Sequence, residues 1–248
     1  MRIRYLALTF GTLLPCWSRP AVGQQLVAFV GCPADGQVGP IAAPTGAPRR
    51  VAVPERVARD IAYYEGYEAP GVFAPRGWRC RVAYGSSGSL IVVSPSPVDL
   101  LHYPPQRTRG PAVESSVSLA GTSGRFDAAV TAARLFPRIA ANFIESVRKE
   151  GLEPDSEFSP RPYAHDSLAY LDSTAVEFMT PAGADGLGTE EVLEPSGEPI
   201  RGFVRLVLPD SESDGYLSVL RVRLGPRVQR LEAAILQLNE GCLRGGPC

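Results

Sequence analysis

The chain is almost without lysine. Of its 25 basic residues only Lys149 is not arginine, and it is followed by Glu150. A phosphate-cradling loop needs Gly-Lys-Ser/Thr, so that nucleotide motif is excluded. Lys149 sits in the charged run Arg148-Lys149-Glu150, where a desolvated Schiff-base lysine is not expected. Histidine is nearly as scarce, with His102 and His165 alone. The cysteines include no Cys-x-x-Cys pair, which removes zinc spacing, a thioredoxin-type redox pair and a c-type haem attachment. No metal and no cofactor are expected. No uninterrupted apolar run reaches the roughly 18 residues of a membrane span. With 25 bases against 26 acids the chain lacks the basic excess that nucleic acid demands, so no nucleic-acid partner is expected.

What is present supports a folded core. Hydrophobic residues make up 44% and charged residues 21%, which excludes global disorder. The 248 residues allow one large domain or two small ones. Abundant Arg, Gly, Pro and Ala are read as GC-rich coding. Arg2 and Arg4, the apolar stretch Leu6 to Leu14, and the small residues Ala21 and Gly23 read as a secretory signal over residues 1–23, cut before Gln24. Pro15 before Cys16 argues against lipidation. An exported, periplasmic or secreted protein is therefore expected. Four cysteines then remain, and an even number in an oxidising compartment reads as two disulfides. Of the three connectivities, Cys32–Cys80 with Cys242–Cys248 is favoured, because the second pair closes locally.

The expected fold is α+β: antiparallel sheet packed with two to three helices and stapled by disulfides. Strands are expected at Gln25–Gly31, Cys80–Tyr84, Leu90–Val93, Val113–Leu119, Thr174–Thr180, Ile200–Leu208 and Leu217–Leu224. The turn Gly85-Ser86-Ser87-Gly88 predicts a hairpin between the second and third. Helices are expected from Pro54 to Gly66, from Phe126 to Lys149 with a kink or break at Pro137, and from Pro226 to Gly241. Residues 33–50 and 150–172 read as irregular. Five prolines in 94–111 mark a linker or irregular crossover, and residues 24–110 are expected as a small N-terminal module and 111–248 as an α+β module.

Several stretches resemble an uncharacterised family of exported proteobacterial proteins. They are Gly31-Cys32-Pro33-Ala34-Asp35-Gly36-Gln37-Val38-Gly39-Pro40, Ala74-Pro75-Arg76-Gly77-Trp78-Arg79-Cys80 and Tyr84-Gly85-Ser86-Ser87-Gly88-Ser89. Val176-Glu177-Phe178-Met179-Thr180-Pro181, Gly186-Leu187-Gly188-Thr189 and Val222-Arg223-Leu224 belong to the same resemblance. It implies export and one shared architecture, and brings no catalytic residues with it.

Three chemistries compete. The first is ligand binding by a non-catalytic envelope module, whose partner is an envelope component or small ligand. Tyr63, Tyr64, Tyr67, Phe73, Trp78 and Tyr84 cluster beside Cys80 and either fill a small core or present rings such as Trp78 and Tyr84 for stacking. The second is an extracytoplasmic serine hydrolase using Ser86 or Ser87 with His102, although Gly-Ser-Ser-Gly is one residue short of a nucleophile elbow. The third is an anion binder. If Ile200–Leu208 and Leu217–Leu224 pair with one inward apolar face, Arg201, Arg205, Arg221 and Arg223 share the outward face. Asp210 to Gly215 imitates a calcium loop, but Arg221 stands where the bidentate glutamate belongs. Charge is also uneven along the chain: residues 150–198 hold 12 acids and one base, Arg161. This acidic segment either folds back over the arginine face or forms a mobile connector.

Overall fold

The computed structural model describes residues 23–101, 106–159, 163–210 and 214–245. The expected signal segment, apart from Gly23, lies outside them, as do His102 and Cys248. In chain order the strands are β1 Gln24–Cys32, β2 Ala34–Gly36, β3 Arg49–Ala52, β4 Ile61–Gly66, β5 Val72–Pro75, β6 Arg79–Gly85 and β7 Gly88–Ser94. They continue with β8 Ala112–Leu119, β9 Ser167–Tyr170, β10 Ala175–Thr180, β11 Ile200–Val207 and β12 Tyr216–Arg223. The helices are α1 Glu55–Asp60, α2 Arg125–Leu135, α3 Ala141–Arg148 and α4 Glu232–Leu243.

Two sheets result. The smaller has the order β3-β1-β4-β5 and the larger β2-β6-β7-β8-β12-β11-β10-β9. The fold is α+β as expected, but both sheets are mixed: β1 runs parallel to β4, and β2 parallel to β6. The large sheet also crosses the expected module boundary at residue 110, because β7 pairs with β8 from Gly88–Ser118 to Val93–Val113. The strands on either side of the proline-rich stretch, β7 and β8, are thus neighbours in one sheet.

Both faces of the large sheet are covered. The small sheet and α4 cover one, where Val27, Ile61, Tyr64 and Phe73 pack with Ile91, Val113, Phe203, Leu220, Val222, Leu231 and Ile235. On the other, α2 and the 187–193 stretch pack Ala128, Ala132, Leu135, Leu187 and Leu193 on Val92, Val176, Val204, Leu206 and Val219. Alanines along α2 let its backbone approach the strands closely. A strand buried on both sides reads as a continuous apolar run, as in Val219-Leu220 with Val222.

Local chemistry explains where elements differ from expectation. The helix predicted from Pro54 to Gly66 stops at Asp60, and Ile61-Ala62-Tyr63-Tyr64 becomes β4. β-branched and aromatic residues suit a pleated surface, and all four are buried between β1 and β5. Pro137 splits the long helix into α2 and α3, since it has no N–H to give a continuous ladder. α4 starts after a 3-10 turn at Gln229–Leu231 and runs on through Gly241 to Leu243. Arg230 thus precedes the helix and pairs with Asp60 at 2.8 Å. Short β2, β3, β5 and β9 lie in stretches too brief or too glycine-rich to show a period.

The Cys32–Cys80 disulfide forms as favoured, with a Cα separation of 5.3 Å. It joins the end of β1 in the small sheet to β6 in the large one. Cys242 is also disulfide-bonded. Its expected partner, Cys248, is outside the described residues.

Candidate functional site

The four arginines expected on one outward face are divided between two. Arg201 pairs across from Val222, and Gly202 from Arg221. Residues opposite each other point to the same side, so Arg201 and Arg205 share the Leu220 and Val222 side while Arg221 and Arg223 take the other. The expected alignment presumed a single apolar face. With both faces apolar, the hydrophobic pattern no longer fixes the relative register.

Arg221 and Arg223 are not available to a ligand, being 2% and 1% exposed. Arg221 donates from Nη1 to Glu114 Oε1 at 3.0 Å and from Nε to Leu187 O at 2.8 Å. Arg223 spends its fork on main-chain carbonyls: Gly110 O at 2.9 Å from Nε, Thr108 O at 2.7 Å from Nη2, and Glu194 O from Nη1. The acidic segment does fold back over these arginines. Its carbonyls, more than its carboxylates, satisfy them, and Glu190 alone comes within 3.7 Å of Arg221. Arg107 adds bonds to Thr189 O and Leu193 O, and a parallel bridge joins Thr108 to Leu193. Arg201 instead lies 3.3 Å from Glu232 on α4.

From this buried pair an ionic relay runs outward. Glu190 lies between Arg221 and Arg134, which it meets at 3.0 Å. Arg134 also holds Glu157 at 2.9 Å, and the Tyr163 hydroxyl donates to Glu190 at 2.6 Å. Burial pushes the Glu114 carboxyl up to about 7, opposed by Arg221. Burial likewise raises Glu190 and Tyr163, the latter reinforced by the Glu190 charge. This cluster ties β8, β12, α2 and the acidic segment together. Its geometry is that of a clamp.

Ser86 and Ser87 are exposed in the β6–β7 turn, where Ser87 O accepts from Leu119 N at 2.8 Å. Ser87 borders an open groove of about 330 Å³ with Ser116, Ser118, Asp127 and Glu191. Partial burial, then Glu191, raises the Asp127 carboxyl. Among the described residues no imidazole lines the groove: His165 is exposed elsewhere, and Asp166 beside it accepts from Leu187 N at 2.8 Å. The aromatic cluster is largely core. Tyr63, Tyr64, Phe73 and Tyr84 are buried, and the Tyr84 hydroxyl is spent on Gly39 O at 2.7 Å. Trp78 is half-buried against that core, and Tyr84 borders the groove near Ser87.

A preformed recess also lies beside the disulfide. A cleft of about 300 Å³ is walled by Arg79 and Arg81 of β6, by Val92 and Ser94 of β7, and by Pro97 and Val98. It continues past Arg81 into a wider recess of about 660 Å³ bordered by Asp35 and Asp99. The sequence signal was the alternation Arg79-Cys80-Arg81. Once Cys80 turns inward to Cys32, the flanking arginines must turn to the opposite face. No protein-family model, curated protein or solved structure matches the chain.

Proposed function

We propose that the chain is an exported, extracytoplasmic binding module that takes an envelope component or small ligand in the cleft beside Cys80. The observation that carries this reading is the Cys32–Cys80 bond, which joins the two sheets across a sequence separation of 48 residues. Such a bond persists in oxidising compartments and is rare in the reducing cytosol. The signal-like residues 1–23 and the resemblance to exported proteins point the same way. The cleft supports binding because one of its walls is the β6–β7 pair of a sheet fixed by that bond, so that wall needs little ordering on association.

Expression of the full chain with a C-terminal tag in a Gram-negative host tests the reading. Fractionation is expected to place it outside the inner membrane, starting at Gln24 and without free Cys32 or Cys80 thiols. A cytosolic product with an intact N-terminus and reactive thiols would refute it.

A further inference from the structure

We propose that Arg79 and Arg81 form a site for a small anion, a phosphate or carboxylate group, in the cleft beside the disulfide. The inference deepens the binding-module reading by naming the ligand's chemistry. Both arginines are on β6 two residues apart, so their Cα atoms are about 7 Å from each other on one face. Both are exposed, and among the described residues neither side chain has a hydrogen bond or ion pair. Other exposed arginines share that lack, Arg56 and Arg138 among them, but these two line the same recess.

Across β7 the strand pairing brings them no neutralising neighbour, while on β2 Asp35, paired with Ala83, stands diagonal to Arg81 on the same face. Arg79 faces Ser94 on β7 and Arg81 faces Val92. The next residue on that row, Glu114, is buried and committed to Arg221. Two like charges held side by side in a concave wall repel unless an anion lies between them. Guanidinium groups donate in a planar fork that fits both phosphate and carboxylate. Ser94 adds a hydroxyl to the wall, though its proton is already given to Ser96 O. Pro97 and Val98 supply an apolar side for the rest of the ligand.

Size is set by the far end of the recess. Asp35 accepts from Gly36 N at 2.8 Å and Asp99 from Leu101 N at 3.0 Å, so both carboxylates are anchored there. Neither lies within ion-pair distance of Arg81. They repel an extended polyanion while leaving the Arg79 end open to a single anionic group.

The test uses the purified mature chain with its disulfides intact, and inorganic phosphate and acetate as probes. The arginine Nε–H signals of Arg79 and Arg81 are followed by NMR during titration. Saturable shifts at these two signals are expected, with the Arg56 and Arg138 signals unmoved. In R79Q/R81Q affinity is expected to fall about tenfold or more, the loss of charge-assisted hydrogen bonds, while R56Q/R138Q binds like the parent. Co-sedimentation with phosphatidylglycerol against phosphatidylcholine vesicles separates the sources. Retention on the first alone, lost in R79Q/R81Q, assigns the anionic group to a lipid headgroup; binding of phosphate without retention assigns it to a free solute. Shifts that never saturate, or equal affinity in R79Q/R81Q, overturn the proposal. The wild-type shifts are informative even where the double variant folds poorly. Because the assay is independent of compartment, failure of export and failure of anion binding are read separately.

Discussion

Asn239 closes both main-chain hydrogen bonds of Phe73. Its Oδ1 accepts from Phe73 N at 2.7 Å and its Nδ2 donates to Phe73 O at 2.9 Å. Phe73 lies on β5, the edge strand of the small sheet, and Asn239 is 1% exposed on α4. A side-chain amide thus stands in for the missing neighbouring strand, and α4 shields an edge otherwise open to pairing. Asn239→Leu keeps the bulk but strands a buried N–H and C=O. We expect it to cost about 2 to 4 kcal/mol, since each buried unsatisfied group costs roughly 1–3. Urea unfolding of the two proteins measures the difference. A change below about 0.5 kcal/mol would mean that water replaces the amide.

The buried pair of Glu114 and Arg221 makes stability depend on pH in a direction opposite to that of ordinary ion-paired carboxylates. Burial raises the Glu114 carboxyl to about 7 in the folded protein. In the unfolded chain it titrates near ~4.3. The folded state therefore binds more protons between these values, and stability falls as pH rises from about 4.5 to 7. Glu190 and Asp127, both raised by burial, add to the same slope. Glu150 and Asp172, lowered by Arg125 and by Thr174 respectively, oppose it at more acid pH. Unfolding free energy measured at pH 5, 6 and 7.5 is expected to decline, with a shallower decline in Glu114→Gln. An identical slope in that variant would place the proton elsewhere.

The parts legible in the sequence are those whose pattern is local. The hairpin around Gly85-Ser86-Ser87-Gly88, the break at Pro137 and the Cys32–Cys80 bond follow from turn chemistry, a missing donor and cysteine count. Register between β11 and β12 was not legible. Strands buried on both sides carry apolar residues on both faces, so Arg221 and Arg223 looked outward when they point inward. The strand nature of Ile61–Gly66 was hidden by a spacing that also fits a helix, and was decided by parallel pairing with β1, more than 30 residues earlier in the chain. Asn239 did leave a trace: it falls four residues after Ile235, as a polar residue on the apolar stripe of α4. Arg79 and Arg81 could be placed once Cys80 was assigned inward.

Loss of the Cys32–Cys80 bond should loosen the small sheet from the large one. The chain-entropy model gives about 4 kcal/mol for a loop of this length. Cys32 is fully buried and Cys80 half-buried, so Cys32→Ala/Cys80→Ala leaves no stranded polar group. We expect a clear fall in denaturant midpoint together with faster hydrogen exchange in β1 and β2. Exchange in β11 and β12 should change less, because those strands stay paired at the centre of the large sheet. Uniform acceleration throughout would show instead that the two sheets unfold as a single unit.

Arg223 is where the acidic segment depends most on one side chain. It is 1% exposed and bonds only to carbonyls, of Gly110, Thr108 and Glu194, and burial lowers its pKa below the usual arginine range. Those carbonyls come from two segments that bridge to each other at Thr108 and Leu193. Arg223→Met keeps much of the aliphatic stem but removes every donor, leaving the half-buried Gly110 and Glu194 carbonyls to find water while Thr108 O keeps Glu194 N at 2.9 Å. Arg223→Lys keeps a charge yet lacks the fork that reaches both segments at once. Both variants should expose residues 187–194 to limited proteolysis, with Met the more severe. The expected stability loss for Met is about 1 to 3 kcal/mol, the cost of leaving neutral carbonyls without their donors. Cleavage confined to that segment, with β8 and β12 still protected from hydrogen exchange, identifies Arg223 as the latch of the segment. Proteolysis no faster than in the parent would assign the latch to Arg221 and Arg107, which reach Leu187 O and Thr189 O independently.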